Sequence, residues 1–254
     1  MSGGKDSSAL AIYMRDTYPD MDIKYFFTDT GEELKEVYSY LDKLEAYLGK
    51  SIARLNQVDE SRKGSKSQFE TFMKRYNNFL PSATARWCTI EMKLKPFERW
   101  IKKFIDDGSE VISYVAIRAD EKRLGYKSTN ENLIVKFPFV DDNIDKEKVH
   151  EILNQSGLGL PDYYSWRSRS GCTFCFFQQK IEWVRLSQEH PEAFKRAQKL
   201  EKTALDNKSP FTWCHGETLE ELTQPERVKK IEEDFKKRLV FTIEGGGDFV
   251  MRNA

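Results

Sequence analysis

The most informative part of the sequence is Ser2-Gly3-Gly4-Lys5-Asp6-Ser7, which runs directly into an apolar, helix-like segment. Two adjacent glycines allow a tight turn whose backbone N–H groups point into one concavity, and a helix N-terminus favours an anion there. Lys5 adds a positive charge, and the hydroxyls of Ser2 and Ser7 can donate hydrogen bonds to phosphate oxygens. Asp6 is expected either to organise the loop or to coordinate Mg²⁺. The stretch therefore predicts a phosphate-binding loop.

Composition excludes several classes of protein. The chain has 254 residues, with 41 Lys+Arg against 41 Asp+Glu, so it has no overall basic field for nucleic acid, although a local basic groove stays open. Hydrophobic residues at 39% and aromatic residues at 13% argue against disorder. No apolar run approaches the roughly 20 residues that span a bilayer, and the opening residues are unlike a signal peptide. We expect a cytoplasmic protein without a membrane partner.

Helix-like and strand-like segments alternate in the first part of the chain. Apolar steps of three and four predict a helix over residues 34–48 that ends at Gly49. Buried strands are predicted over residues 23–27, 111–117 and 133–139. This alternation predicts an α/β fold, doubly wound around a mainly parallel sheet, with ligands at the carboxyl ends of the strands.

The pattern changes to helical after about residue 150. We therefore predict a nucleotide-binding α/β domain over residues 1–150 and a mainly helical region with cysteines over residues 151–254, with a helix break at Pro191. The polar, basic residues 57–80 are either a solvated loop and helix face or a mobile segment facing an anionic substrate. The glycines at 245–247 predict a flexible tail.

The opening stretch resembles the PP-loop of the ATP pyrophosphatases, which split ATP between its α- and β-phosphates. Within that superfamily the chain is similar to the phosphoadenosine-phosphosulfate reductase branch, which has the adenine nucleotide α-hydrolase-like (HUP) fold. Three further segments carry this resemblance: Phe27-Thr28-Asp29-Thr30-Gly31, Arg86-Trp87-Cys88-Thr89 followed by Lys93, and Ile117-Arg118-Ala119-Asp120-Glu121.

The resemblance implies a site for ATP and Mg²⁺. Residues 2–7 would hold the pyrophosphate, and Arg118 would face phosphate charge beside Lys5 and Asp6 as the catalytic groups. Arg86 and Lys93 are either additional anion contacts or ordinary helix-surface cations. The residues implied near the nucleoside are Thr28, Asp29, Thr30 and Gly31.

One departure from the resemblance concerns the residues before the loop. A hydrophobic strand precedes the PP-loop in these proteins, whereas Met1 immediately precedes Ser2 here. We expect that the chain is shortened at this end, and that an added upstream apolar strand would raise nucleotide affinity and thermal stability, because it would anchor the loop.

The four cysteines have three competing interpretations. Cys172 and Cys175 form a CxxC pair, while Cys88 and Cys214 are single. They are buried structural thiols, ligands of a structural Zn²⁺, or ligands of a [4Fe–4S] cluster, and aromatic neighbours such as Trp87, Phe174 and Trp213 favour the shielded cluster.

The cysteine pattern is most similar to that of the DNA phosphorothioation subunits, the C subunit of the Dnd type and the shorter D subunit of the Ssp type. The C-terminal Glu-Cys-Gly-Leu-His nucleophile of thiol-dependent sulfate reductases does not occur in this sequence. This similarity implies an ATP pyrophosphatase that adenylylates a DNA phosphate for sulfur insertion. Its partners would be a cysteine desulfurase, other DNA-modification subunits, and DNA itself. The alternatives are a phosphoadenosine-phosphosulfate or adenosine-phosphosulfate reductase, a tRNA-thiolating enzyme, and a non-catalytic Fe–S scaffold that binds nucleotide.

Overall fold

The computed structural model describes residues 1–56, 67–125 and 127–244. Contacts divide these residues into two compact units. The first unit contains residues 1–56, 90–125, 127–165 and 169–171, and the second contains residues 67–89, 166–168 and 172–244. These units divide the chain differently from the predicted boundary at residue 150, because residues 67–89 belong with the C-terminal helices. The predicted flexible tail and residues 57–66 lie outside the described residues.

Helices occur in both units, and the short parallel strands all lie in the first unit. The helices are α1 (Lys5–Thr17), α2 (Lys35–Leu48), α3 (Gln68–Arg75), α4 (Trp87–Thr89), α5 (Lys95–Asp106), α6 (Pro138–Asp141), α7 (Lys146–Gln155), α8 (Lys180–Glu189), α9 (Pro191–Asp206), α10 (Leu219–Leu222) and α11 (Pro225–Glu244). The strands are β1 (Tyr25–Thr28), β2 (Ile52–Leu55), β3 (Val111–Tyr114) and β4 (Leu133–Lys136). A π-helical turn spans Ile90–Leu94, and a 3₁₀ turn spans Asp162–Ser165.

The strands of the first unit pair in parallel. Tyr25 of β1 lies opposite Ile52 of β2, and Val111 of β3 lies opposite Leu133 of β4. Parallel strands require crossover connections, and α2 supplies the one between β1 and β2. The predicted α/β class is confirmed.

Helix predictions from periodicity are confirmed most closely. Helix α2 ends at Leu48, and Gly49 adopts the left-handed conformation with φ 64°. Helices α8 and α9 meet at Pro191, which is the first residue of α9.

Strand lengths and burial differ from the predictions. Strand β3 ends at Tyr114 rather than 117, and Ile112 is 37% exposed, so this strand is not a fully buried one. Strand β4 ends at Lys136, and Pro138 opens α6 instead of continuing the strand. A proline suits the first turn of a helix, since its fixed φ matches and no N–H is needed there.

Each unit has its own apolar core. In the first unit α1 packs against α7, where Val149 and Leu153 are fully buried. In the second unit Trp183 and Trp213 are among the largest buried side chains. Within the described part of the chain, no helix combines the length and apolarity that crossing a membrane would require.

Candidate functional site

The predicted phosphate loop is a closed network of short-range hydrogen bonds. The Ser7 hydroxyl accepts the backbone N–H of Ser2 at 3.1 Å and donates to the Gly4 carbonyl at 3.1 Å. The hydroxyls of Ser2 and Ser7 lie 3.0 Å apart. Gly3 has φ 66°, and a Cβ there would lie 2.7 Å from Val37 Cγ1, so only glycine fits against α2. Both predicted serines therefore shape the loop.

The start of α1 presents backbone donors beside this loop. The first bond within the helix runs from the Ser8 N–H to the Gly4 carbonyl, and among the described residues the N–H groups of Asp6 and Ser7 have no acceptor. The Lys5 N–H donates to the Tyr164 hydroxyl at 3.1 Å. These donors, with the helix dipole, form an anion-binding arrangement.

Two tyrosines of the 3₁₀ turn, about 160 positions later in the sequence, hold the loop in place. Tyr163, which is 1% exposed, donates its hydroxyl to the Gly3 carbonyl at 2.7 Å. The ring of Tyr164 lies under the Lys5 ammonium, 5.5 Å from Nζ to the ring centroid. Neither tyrosine was predicted from the sequence, because no local pattern marks a contact between residues about 160 positions apart.

Arg118 joins the loop to the segment that follows β3. Its Nη1 donates to Asp6 Oδ1 at 2.8 Å, and its Nε donates to Asp120 Oδ1 at 2.9 Å. Burial disfavours the charged guanidinium, but the hydrogen bonds to Asp120 and Asp6 raise the pKa of Arg118 above its ordinary value. Of the two predicted roles of Asp6, organising the loop is the one this contact supports. Lys5, Asp6 and Arg118 are thus brought together.

The turn after β1 is built around a pair of carboxylates. Asp29 Oδ1 accepts the Gly31 N–H and the Tyr38 hydroxyl, both at 2.8 Å, and Thr30 donates to Glu33 Oε1 at 2.7 Å. Burial raises the pKa of Glu33 above its ordinary value. The carboxylates of Asp29 and Glu33 therefore order the turn of residues 28–31, and Glu33 is a third residue that the motifs did not predict.

The other two predicted cations, Lys93 and Arg86, belong to different units. Lys93 belongs to the first unit, where its charge lowers the pKa of Glu33 against the effect of burial. Arg86 belongs to the second unit, where its guanidinium lies 5.5 Å from the ring centroid of Phe177. A cation–π contact with Phe177 was not among its predicted roles.

His150 of α7 is a further unpredicted residue near the loop. Its Nε2 is buried and has no hydrogen-bond partner among the described residues. Burial lowers the pKa of His150, and the charges of Lys5 and Arg118 lower it further, whereas Asp6 raises it.

All four cysteines lie in the second unit, each within two positions in sequence of an aromatic residue of one cluster. Phe69 contacts Trp87, Phe174 and Trp213, with ring centroids 5.1, 4.9 and 6.1 Å apart. Trp87 precedes Cys88, Phe174 stands inside the CxxC pair, and Trp213 precedes Cys214. We call Phe69, Trp87, Phe174 and Trp213 the aromatic cluster.

Two buried charged side chains hold the backbone of the segments that carry the cysteines. Arg167, which is 1% exposed, donates from Nη2 to the Cys172 carbonyl at 2.6 Å. The buried carboxylate of Glu201 accepts the N–H groups of Trp213 at 2.9 Å and Leu219 at 2.7 Å. Burial, with a smaller effect of nearby carboxylates, raises the pKa of the Cys214 thiol to about 12. Cys214 is therefore a protonated thiol at neutral pH.

No group of three or more His, Cys, Asp or Glu side chains is arranged to hold a metal ion within the described ranges. The aromatic cluster brings the cysteine-bearing segments together, but the sulfur atoms do not form a ready-made ligand set.

Comparisons with known proteins agree with this fold. The family model for the phosphoadenosine phosphosulfate reductase domain matches residues 1–154. A phosphoadenylyl-sulfate reductase from Candida auris, solved as a phosphate complex, has a similar fold, with a TM-score of 0.51 at 16% identity over 68% of this chain and 78% of that chain.

Two curated relatives extend the similarity in sequence. An uncharacterised protein of Methanocaldococcus jannaschii is 30% identical over 206 residues, which are 77% of this chain and 39% of the relative's length. An uncharacterised 37.8 kDa protein of Escherichia phage 186 is 27% identical over 248 residues, covering 80% of this chain and 73% of that protein.

This α/β chain belongs to the phosphoadenosine phosphosulfate reductase domain family. The name of that family refers to enzymes that act on a nucleotide sulfate, so membership points to nucleotide-linked sulfur chemistry. The match covers the loop, the turn after β1 and the segment that contains Arg118.

Proposed function

We propose that this protein is an ATP pyrophosphatase that adenylylates a substrate phosphate for sulfur insertion, and that the acceptor is DNA. The observation that carries the proposal is the Arg118–Asp6 contact at 2.8 Å. It places a guanidinium next to the backbone donors of α1, which is the arrangement that a polyphosphate and its developing charge require.

The chemistry follows from charge. Sulfur cannot directly displace a phosphate oxygen, because oxide is a poor leaving group. In the proposed first step an acceptor phosphate oxygen attacks the α-phosphorus of ATP, a new P–O bond forms, and the α–β bridge breaks to release pyrophosphate. A hydrosulfide ion, released from the donor's persulfide by a thiol reductant, then attacks the acceptor phosphorus. A P–S bond forms, and the former phosphate oxygen leaves with AMP.

The residues divide this work by position. The Asp6 and Ser7 amides and Lys5 would hold the departing pyrophosphate, and Mg²⁺ bound to the nucleotide would neutralise part of its charge. Arg118, fixed by Asp6 and Asp120, would stay charged and oriented beside the α-phosphate. The turn at residues 28–31 would contact the nucleoside. Arg86 and Lys93 are proposed as outer anion contacts.

We propose a [4Fe–4S] cluster for the four cysteines, with Zn²⁺ as the alternative occupant. Support comes from their placement in one unit around the aromatic cluster. Metal binding would displace the thiol protons, including that of Cys214. No reaction step is assigned to the metal. A cysteine desulfurase is the proposed sulfur donor, and other DNA-modification subunits would supply most of the DNA contact.

A second function, reduction of a nucleotide sulfate, is favoured by the family to which the chain belongs. The two functions differ in their products. Magnesium ATP with a nucleic acid acceptor would yield AMP and pyrophosphate, whereas phosphoadenosine phosphosulfate with a thiol reductant would yield sulfite.

The deciding experiment offers purified protein both substrate sets and measures pyrophosphate and sulfite. We expect pyrophosphate, lost in Lys5→Ala and retained in Lys24→Ala, which alters a surface lysine paired with Asp22. Release of sulfite without pyrophosphate would contradict the proposal and favour the reductase function. Release of pyrophosphate that depends on tRNA but not on DNA would show that tRNA, not DNA, is the acceptor. Unchanged DNA modification by Lys5→Ala in cells would indicate a scaffold.

A further inference from the structure

His150 occupies an unusual position for a histidine. It lies on α7, whose neighbouring residue Val149 is fully buried where α7 packs against α1, the helix that begins at the phosphate loop. Its Nε2 is buried and has no hydrogen-bond partner among the described residues. A buried polar atom without a partner is costly, so its retention calls for an explanation.

The start of α7 adjoins the segment that carries Arg118, because the Ala119 N–H donates to the Ile144 carbonyl at 2.9 Å. The charged groups around the imidazole lie on three elements. Lys5 and Asp6 belong to α1, Arg118 follows β3, and Lys146 lies on α7 itself. Burial and the three cations disfavour the protonated ring, and Asp6 alone favours it, so the pKa of His150 lies below its ordinary value.

A bound polyphosphate would reverse this balance. Lys5 and Arg118 are the cations that the proposed function assigns to phosphate, so a polyphosphate would add several negative charges next to the groups that now oppose protonation. An anion near a histidine favours the imidazolium. The protonation of His150 would therefore respond to the class of ligand that is proposed for the loop.

We propose that His150 is a proton-accepting residue of the phosphate site, neutral in the free protein and protonated when a di- or triphosphate binds beside α1. The inference rests on the proposed function only in placing polyphosphate at this loop. The proton comes from solvent, and the imidazolium adds a positive charge to those of Lys5 and Arg118. His150 acts as a positioning residue whose charge appears together with the ligand.

The chain has three histidines, so the test is direct. Nuclear magnetic resonance titration of the imidazole protons, with and without inorganic pyrophosphate, reports each one, and His150→Gln assigns the resonance. We expect the pKa of His150 to rise by about one unit or more on binding. His190 and His215, which lie in the second unit, are the internal controls and should not shift.

Calorimetry gives an independent readout of the same event. Pyrophosphate binding at pH 7 in buffers of different ionisation enthalpy should show proton uptake by the wild type and less uptake by His150→Gln. Pyrophosphate that binds while His150 keeps its titration curve would overturn this inference and leave the phosphate site intact. Absence of pyrophosphate binding would instead contradict the proposed phosphate site, and the inference with it.

Discussion

The Tyr164 hydroxyl accepts a hydrogen bond from a backbone N–H that could otherwise bind a phosphate oxygen. It accepts the Lys5 N–H at 3.1 Å, so a bound polyphosphate must either share or displace it. We predict that Tyr164→Phe frees this N–H and tightens pyrophosphate binding about three- to tenfold, which corresponds to one net hydrogen bond. Isothermal titration calorimetry measures the change. Weaker binding by the variant would show that the hydroxyl helps to hold the ligand.

Tyr163 is the matched control for this prediction, since it is the adjacent tyrosine and bonds the same loop. Its hydroxyl donates to the Gly3 carbonyl rather than occupying an N–H donor. Tyr163→Phe should therefore cost about 1–2 kcal/mol of unfolding free energy without any gain in affinity.

A second prediction for a single position concerns Gly3. Its φ of 66° disfavours any side chain, and an added Cβ would lie 2.7 Å from Val37 Cγ1. We predict that Gly3→Ala lowers the unfolding free energy by about 2–4 kcal/mol, measured by urea denaturation.

Gly31 provides the comparison, with a similar φ of 72° and no atom near its added Cβ. Gly31→Ala should cost about 1 kcal/mol, because only the backbone conformation is penalised. Gly3→Ala should lower the unfolding free energy less in a Val37→Ala background than in the wild-type protein, because the truncated side chain leaves room for the added Cβ. Equal costs at both glycines would contradict the close approach of α2 to the loop.

Glu217 ties two helices of the second unit to the segment that carries Cys214. It accepts a bidentate pair of hydrogen bonds from Arg227 of α11 at 2.7 and 2.9 Å, and it contacts Lys180 of α8. Hydrogen bonding to Arg227, opposed by burial and helped by Lys180, lowers the pKa of Glu217 to about 2. We predict that Glu217→Gln loses about 1–2 kcal/mol of stability at pH 7.

The sign of the pH dependence follows from that lowered pKa. The stabilisation is complete above the ordinary value of 4.5 and is lost as the pH falls towards 2, so the difference from wild type should shrink between pH 5 and pH 3. Glu192→Gln, which alters an exposed pair with Lys195, is the control and should change little at any pH. A constant difference across this range would contradict the ion-pair account.

Elements were predictable from sequence where a repeating pattern extends over several turns. Helix α2 was found with its end at Gly49, since its apolar face repeats over four turns. Strands of four residues give a weaker signal, and β2 was not predicted at all. The end of β4 was misplaced because the apolar run continues through Pro138, where the backbone already turns into a helix.

Across the whole molecule, the motifs located the loop and the family, but not the residues that support them. Lys5, Asp6 and Arg118 were predicted together and lie together. Tyr163 and Tyr164 reach the loop through tertiary packing, which leaves no local pattern in the chain. The division into two units was likewise hidden, because residues 67–89 join the second unit through the burial of Phe69 among distant aromatic rings.

The cysteine centre is a prediction for the second unit as a whole. Protein purified without oxygen should contain about four iron and four sulfide per chain. Each of Cys88→Ser, Cys172→Ser, Cys175→Ser and Cys214→Ser should lower the iron content, because every ligand is needed for the cluster. One zinc per chain without iron would favour the alternative ion. Metal-free protein that remains fully stable would identify the cysteines as buried structural thiols.

The central claim is that the amides at the start of α1 hold the polyphosphate of ATP. A crystal structure with magnesium and an ATP analogue that resists cleavage between the α- and β-phosphates tests it most directly. The account predicts β- and γ-phosphate oxygens within hydrogen-bond distance of the Asp6 and Ser7 N–H groups, and the α-phosphate facing Arg118. A triphosphate bound elsewhere, with these amides facing solvent, would contradict it.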